Sequence, residues 1–96
     1  MPTFKLTPQA ESDLIEIGIY TEERHGIKQR NTYLTQLDNR FQWLAENPGL
    51  GLNRDEVKEG YNSFLEGEHI IFYRIVGNNI AIIGIPHQRM DVKKHL

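Results

Sequence analysis

Apolar residues recur at two different periods along the chain, and the change of period divides it into a helical half and a sheet half. Phe4 to Thr7 alternates apolar and polar, the mark of a short strand. Thr7-Pro8 then reads as an N-cap followed by proline in the first helical position, with Glu11 and Asp13 near the positive end of the helix dipole. Ala10, Leu14, Ile17 and Thr21 fall on one helical face, and Ile15, Ile19 and Tyr20 widen that stripe. His25-Gly26 predicts the end of the helix, because glycine takes a left-handed cap conformation at little cost. Leu34, Leu37, Phe41 and Leu44 form a second seam, which predicts a helix over residues 28–46 and, across so short a join, an antiparallel hairpin. Asn47-Pro48-Gly49 stops it, since the residue before proline avoids helical dihedrals.

Residues 50–60 are polar and without a period, which predicts a surface connection. Residues 61–65, 69–76 and 80–85 are then strand-like, separated by Glu66-Gly67-Glu68 and Gly77-Asn78-Asn79, both suited to hairpin turns. The order βααβββ predicts an α+β fold: an antiparallel sheet packed against an N-terminal α-helical hairpin, with the first strand free to pair with a later one. A length of 96 residues suits a single domain spanning 1–96. The composition, 39% hydrophobic and 25% charged, is that of an ordered globular chain and weighs against disorder. Cysteine is absent, which removes disulfide frameworks and thiolate chemistry. Neither a secretory signal at Met1-Pro2-Thr3 nor an apolar run long enough for a bilayer is present, so the expectation is a cytoplasmic protein with no membrane partner.

Charge narrows the partners further. Residues 1–68 carry 7 Lys and Arg against 12 Asp and Glu, a net −5, whereas residues 69–96 carry Arg74, Arg89, Lys93 and Lys94 against Asp91, a net +3. Affinity for nucleic acid comes largely from neutralised phosphates, so a net acidic chain is expected not to bind DNA or RNA directly by itself. His25, His69, His87 and His95 lack metal-ligand spacing, Gly49-Leu50-Gly51 lacks the lysine of a phosphate loop, and no serine stands in a nucleophile elbow. No catalytic set, metal or cofactor is therefore expected. The polar residues that stand out are Arg74 and the run His87, Gln88, Arg89, Met90 and Asp91. They fit a solvated face with an Arg89–Asp91 ion pair, and equally a recognition patch carried on a rigid sheet. Tyr20, Tyr33 and Trp43 suit packing at helix edges, with Trp43 beside the second seam and open to a partner.

Four segments in order, "FKLTPQAESDLIEI", "LAENPGLG", "HIIFYRI" and "IIGIPHQRMDV", make the chain similar to the ParE branch of the RelE/ParE toxin superfamily. The last two segments are the distinctive ones. The resemblance implies a toxin of a type II toxin-antitoxin module that inhibits DNA gyrase and so blocks replication, and that a ParD-like antitoxin neutralises. By position it implies target contacts at Arg74, His87, Gln88, Arg89, Met90 and Asp91. The antitoxin is expected to order on binding as it lies over the hairpin and sheet edge, against Leu34, Leu37, Trp43, Phe72 and Tyr73. Gly84 and Pro86 depart from the family pattern, which more often has a basic and an aliphatic residue there. The sister RelE branch, a ribosome-dependent mRNA endoribonuclease, is the alternative, with His87, Arg74 and Arg89 as its chemistry. A basic residue common in that branch is missing from the start of His69-Ile70-Ile71. An inactive relative retained for antitoxin binding and autorepression, and assembly as a homodimer or as a hetero-oligomer with the antitoxin, also stay open.

Overall fold

Thr7 joins three elements at once, which explains why strand and helix meet there. In the computed structural model, which describes residues 1–96, β1 (Phe4–Leu6) leads through Thr7 into helix α1 (Pro8–Glu46). The Thr7 hydroxyl accepts from Ala10 N–H at 3.2 Å, as an N-cap should, and donates to Ile83 O at 2.8 Å. The long helix is two arms. Gly26 breaks it at φ 88°, ψ 171°, and the arms fold back so that Glu22 pairs with Arg30 and Gly18 faces Leu34. The predicted hairpin is present, although Gly26 is extended in ψ and does not adopt the left-handed cap. Asn47 closes the second arm, its side-chain amide donating to Trp43 O at 3.0 Å.

The remaining strands are β2 (Leu52–Asn53), β3 (Asn62–Glu66), β4 (His69–Val76) and β5 (Asn79–Gly84), before a last short helix α2 (Val92–His95). The sheet order is β1-β5-β4-β3-β2. Two expectations change. The sheet is mixed, because β1 pairs parallel with β5 while the other pairs are antiparallel. A crossover through α1 carries the chain from β1 to the far strands, and that length of chain is what a parallel pair needs. The polar connection also holds the edge strand β2, paired at Leu52↔Ser63 and Asn53↔Asn62. Two residues are too few to show a period. The rest of that connection is turned by hydrogen bonds such as Gly60 N–H to Asp55 Oδ1 at 2.9 Å and Arg54 N–H to Tyr61 O at 2.8 Å.

Leu37, Phe41 and Leu44 from the second arm and Ala10 and Ile17 from the first pack on Ile71, Tyr73, Ile80, Ile82 and Ile85 of the sheet side. Phe4 meets Phe41 edge-on with centroids 5.3 Å apart, which fixes β1 under the helices. A register shift between Phe72 and Tyr73, opposite Gly84 and Ile82, leaves Ile83 as the extra residue of a bulge. Its carbonyl is the one Thr7 takes.

Candidate functional site

Beyond β5 the chain enters a segment held at both ends. Ile85 and Pro86 are buried, and His87 faces His69 in an isolated antiparallel bridge. Ile70 N–H donates to Pro86 O and Gln88 N–H to Glu68 O, each at 2.9 Å. Arg89 N–H donates to His87 Nδ1 at 3.1 Å and Met90 N–H to His87 O at 2.9 Å, so the chain turns tightly and leaves Gln88, Arg89 and Met90 exposed. Asp91 caps α2 by accepting from Lys93 N–H at 3.1 Å. Lys93 and Lys94 stay in solvent, while Leu96 closes over Gly84, where a Cβ would lie 2.4 Å from its Cδ2. A larger residue at position 84 would have to displace the Leu96 side chain.

His87, Gln88, Arg89, Met90 and Asp91 thus share one projecting turn. Arg74 does not join them. It lies five residues along β4 from the His69–His87 rung, roughly 17 Å at the rise of a strand, and sits beside Gly60. The Arg89–Asp91 ion pair does not form, since the Asp91 carboxylate turns back onto its own helix.

Under the turn lies a polar cluster that periodicity missed. Tyr33 Oη is 2.7 Å from His69 Nδ1 and 3.1 Å from Glu66 O. A phenol has one proton, so both bonds form together when Tyr33 donates to the carbonyl and His69 Nδ1–H donates to the phenol oxygen. The His69 and His87 rings meet edge-on, centroids 5.4 Å apart. Burial holds the His69 pKa below its ordinary value, His87 pushes it the same way, and Glu68 and Asp13 oppose. Burial likewise raises that of Tyr33, keeping the phenol protonated. The other missed group is Asp13, 5% exposed, which accepts from Ile85 N–H at 2.7 Å and Gln9 Nε2 at 2.9 Å and meets His95 Nε2 at 2.9 Å. Asp13 lies three residues after Ala10 and four before Ile17, so the helical period itself places it on the buried face. Its proximity to the helix start concealed this.

A second surface lies on the helical hairpin. Leu14, Ile15, Gly18, Ile19, Leu34 and Phe41 line a groove of about 540 Å³ between the arms, with Glu22, Arg30 and Asp38 among its polar lining. Ile15 and Ile19 are 65% and 54% exposed. Of the residues expected to meet an antitoxin, Leu34 lines this groove. Leu37, Phe72 and Tyr73 do not face a partner: all three are fully buried in the chain's own interior. Leu37 points at the sheet because a helical seam turns one face inward, and the bulge packs Phe72 and Tyr73 away on successive positions. Trp43 is half-buried elsewhere, its ring tilted against Phe64 with centroids 5.3 Å apart and the Arg40 guanidinium 4.7 Å from its centroid.

The profile of the family described as "ParE toxin of type II toxin-antitoxin system, parDE" matches residues 4–92. Toxin ParE1 of Caulobacter vibrioides is 35% identical over 96 residues, covering 100% of this chain and 99% of its own length. Toxin ParE1 of Mycobacterium tuberculosis is 37% identical over 94 residues, covering 97% and 96%. Among solved structures, the chromosomal ParDE system from P. aeruginosa aligns at a TM-score of 0.76 with 19% identity, over 91% of this chain and 96% of that one. The RelBE2 toxin-antitoxin complex from Mycobacterium tuberculosis aligns at 0.59 with 20% identity, over 92% and 100%. These two show a shared fold. With the sequence matches running nearly end to end, the chain belongs to the ParE toxin family of type II toxin-antitoxin systems.

Proposed function

We propose that this chain is a cytoplasmic toxin that docks on DNA gyrase and so blocks replication, that it breaks no bond itself, and that a ParD-like antitoxin silences it. The carrying observation is the projecting turn, where exposed Gln88, Arg89 and Met90 stand beside Lys93 and Lys94 on a chain whose overall charge is −2. A local cationic surface on an acidic protein suits recognition of another protein better than tracking of a phosphate backbone. Cleavage of RNA would need a proton acceptor, a donor and a cation around one phosphate. His87 Nδ1 is engaged by Arg89 N–H, and Arg74 lies roughly 17 Å along the strand. The antitoxin fits the hairpin groove, where an apolar helix would cover Ile15, Ile19 and Leu34. Slowed amide exchange of residues 14–41 on antitoxin addition is the expected sign of that placement.

Purified, antitoxin-free chain added to a gyrase supercoiling assay should inhibit it, and Arg89→Ala should raise the concentration needed by about tenfold, the effect of losing one well-placed contact. A folded sample without effect on gyrase removes this reading. Ribosome-bound transcripts cut by the purified chain would replace it with endoribonuclease action.

A further inference from the structure

The exposed turn is the middle of a loop whose two ends converge on one buried carboxylate. Asp13 accepts from Ile85 N–H, at the start of the loop, and meets His95 Nε2, at its end, through both oxygens at 2.9 Å. Apart from Arg74 on β4, every residue expected to touch a target lies between those anchors. The carboxylate is 5% exposed, and a charge so buried persists only when donors surround it. Ile85 N–H and His95 supply them from the far end of the chain, and Gln9 from one turn earlier on the same helix. The far anchor has little support of its own, because α2 spans four residues, well short of what holds a helix in isolation. Its order therefore comes from Asp91 at one end and from the inward pair His95 and Leu96 at the other.

We propose that Asp13 and His95 form a latch that positions the Gln88–Asp91 turn for its target, so that both are positioning residues although neither touches the partner. The inference rests on the docking reading above. A loop fixed at both ends presents its side chains already ordered, and the ordering cost is met on folding and not at the moment of docking. With the far end released, residues 88–96 hang from the His69–His87 bridge alone, and each encounter must order them again. Breaking the latch should thus weaken action on the target while sparing the hairpin groove between the arms, whose lining includes neither Asp13 nor His95.

The test uses the full chain with three variants: His95→Ala, His95→Gln, which retains a donor toward Asp13, and Asp13→Asn. Backbone NMR order parameters of residues 86–96 report the latch directly, growth arrest on induction reports toxicity whatever the target, and gyrase supercoiling reports the assigned target. Expected for His95→Ala are low order parameters over 88–96, toxicity and gyrase inhibition lowered about tenfold or more, and unchanged order in residues 8–46. His95→Gln should recover much of both. An ordered tail in His95→Ala overturns the latch, and a disordered tail with full toxicity overturns the positioning role. If Asp13→Asn fails to fold, the His95 pair still decides. Growth arrest that tracks tail order while gyrase is unaffected would sink the gyrase reading and leave the latch standing.

Discussion

Single side chains here do their work by reaching across chain separation that periodicity cannot see. Tyr73 is fully buried, and its hydroxyl donates to Pro48 O at 2.7 Å and accepts from Gly51 N–H at 3.1 Å, tying β4 to the turn after the long helix. Burial raises its pKa, so the phenol remains a donor at any ordinary pH. Tyr73→Phe keeps the ring but strands a carbonyl and an amide, and should cost about 1–3 kcal/mol. Urea denaturation at neutral pH measures it, and an unchanged midpoint would mean that water replaces the hydroxyl without loss. The sequence announced Tyr73 as part of a motif and so suggested a contact residue. Its neighbour relations, set by a bulge at Phe72 and Tyr73, decided otherwise. Asp13 was legible in principle, since it falls on the buried helical face, whereas the His69–His87 pair was not, because a bridge between residues in different segments leaves no periodic trace.

Among the elements, those with many residues per period were readable and those set by pairing were not. The two helical arms, the Thr7 cap, the stop at Asn47 and strand β4 stand where the pattern puts them. The parallel partner of β1 and the two-residue β2 are tertiary choices. Gly26 ends the first arm where the pattern predicts, but not in the left-handed cap conformation that was the reason for expecting it there. At φ 88° and ψ 171° it occupies a region open almost only to glycine, and nothing lies within 4 Å of where a Cβ would stand. Gly26→Ala should therefore destabilise through backbone strain alone, by about 1–3 kcal/mol. Gly49 provides the control, because it has open space too but no positive φ. Gly49→Ala should lie within about 0.5 kcal/mol of the parent or slightly above it. Equal losses in both variants, measured by thermal unfolding, would show that the hairpin does not depend on this bend.

Across the whole molecule, His69 is where helix, sheet and tail meet. Tyr33 comes from the hairpin, Glu66 and Glu68 flank the β3–β4 turn, and His87 leads the terminal segment, with the charge of Asp13 also felt at the ring. The folded chain holds the His69 pKa below 6.5, burial first and His87 second. The unfolded chain regains an ordinary imidazole, so between the two values it binds a proton that the folded chain refuses. Stability from this group is therefore complete above about pH 6.5 and declines as the pH falls toward the lowered folded value. Below that value the loss is complete and the group adds nothing further. Urea midpoints at pH 7.5 and 5.5 should differ in the parent, with the lower stability in acid. His69→Gln, which retains a donor toward Tyr33 and cannot titrate, should narrow that difference. The bridge at His69–His87 ties down the tail, so the first amides to lose exchange protection in acid should be those of Ile70 and Gln88, which donate to Pro86 O and Glu68 O. A pH response as steep in His69→Gln as in the parent would assign the acid sensitivity to another group.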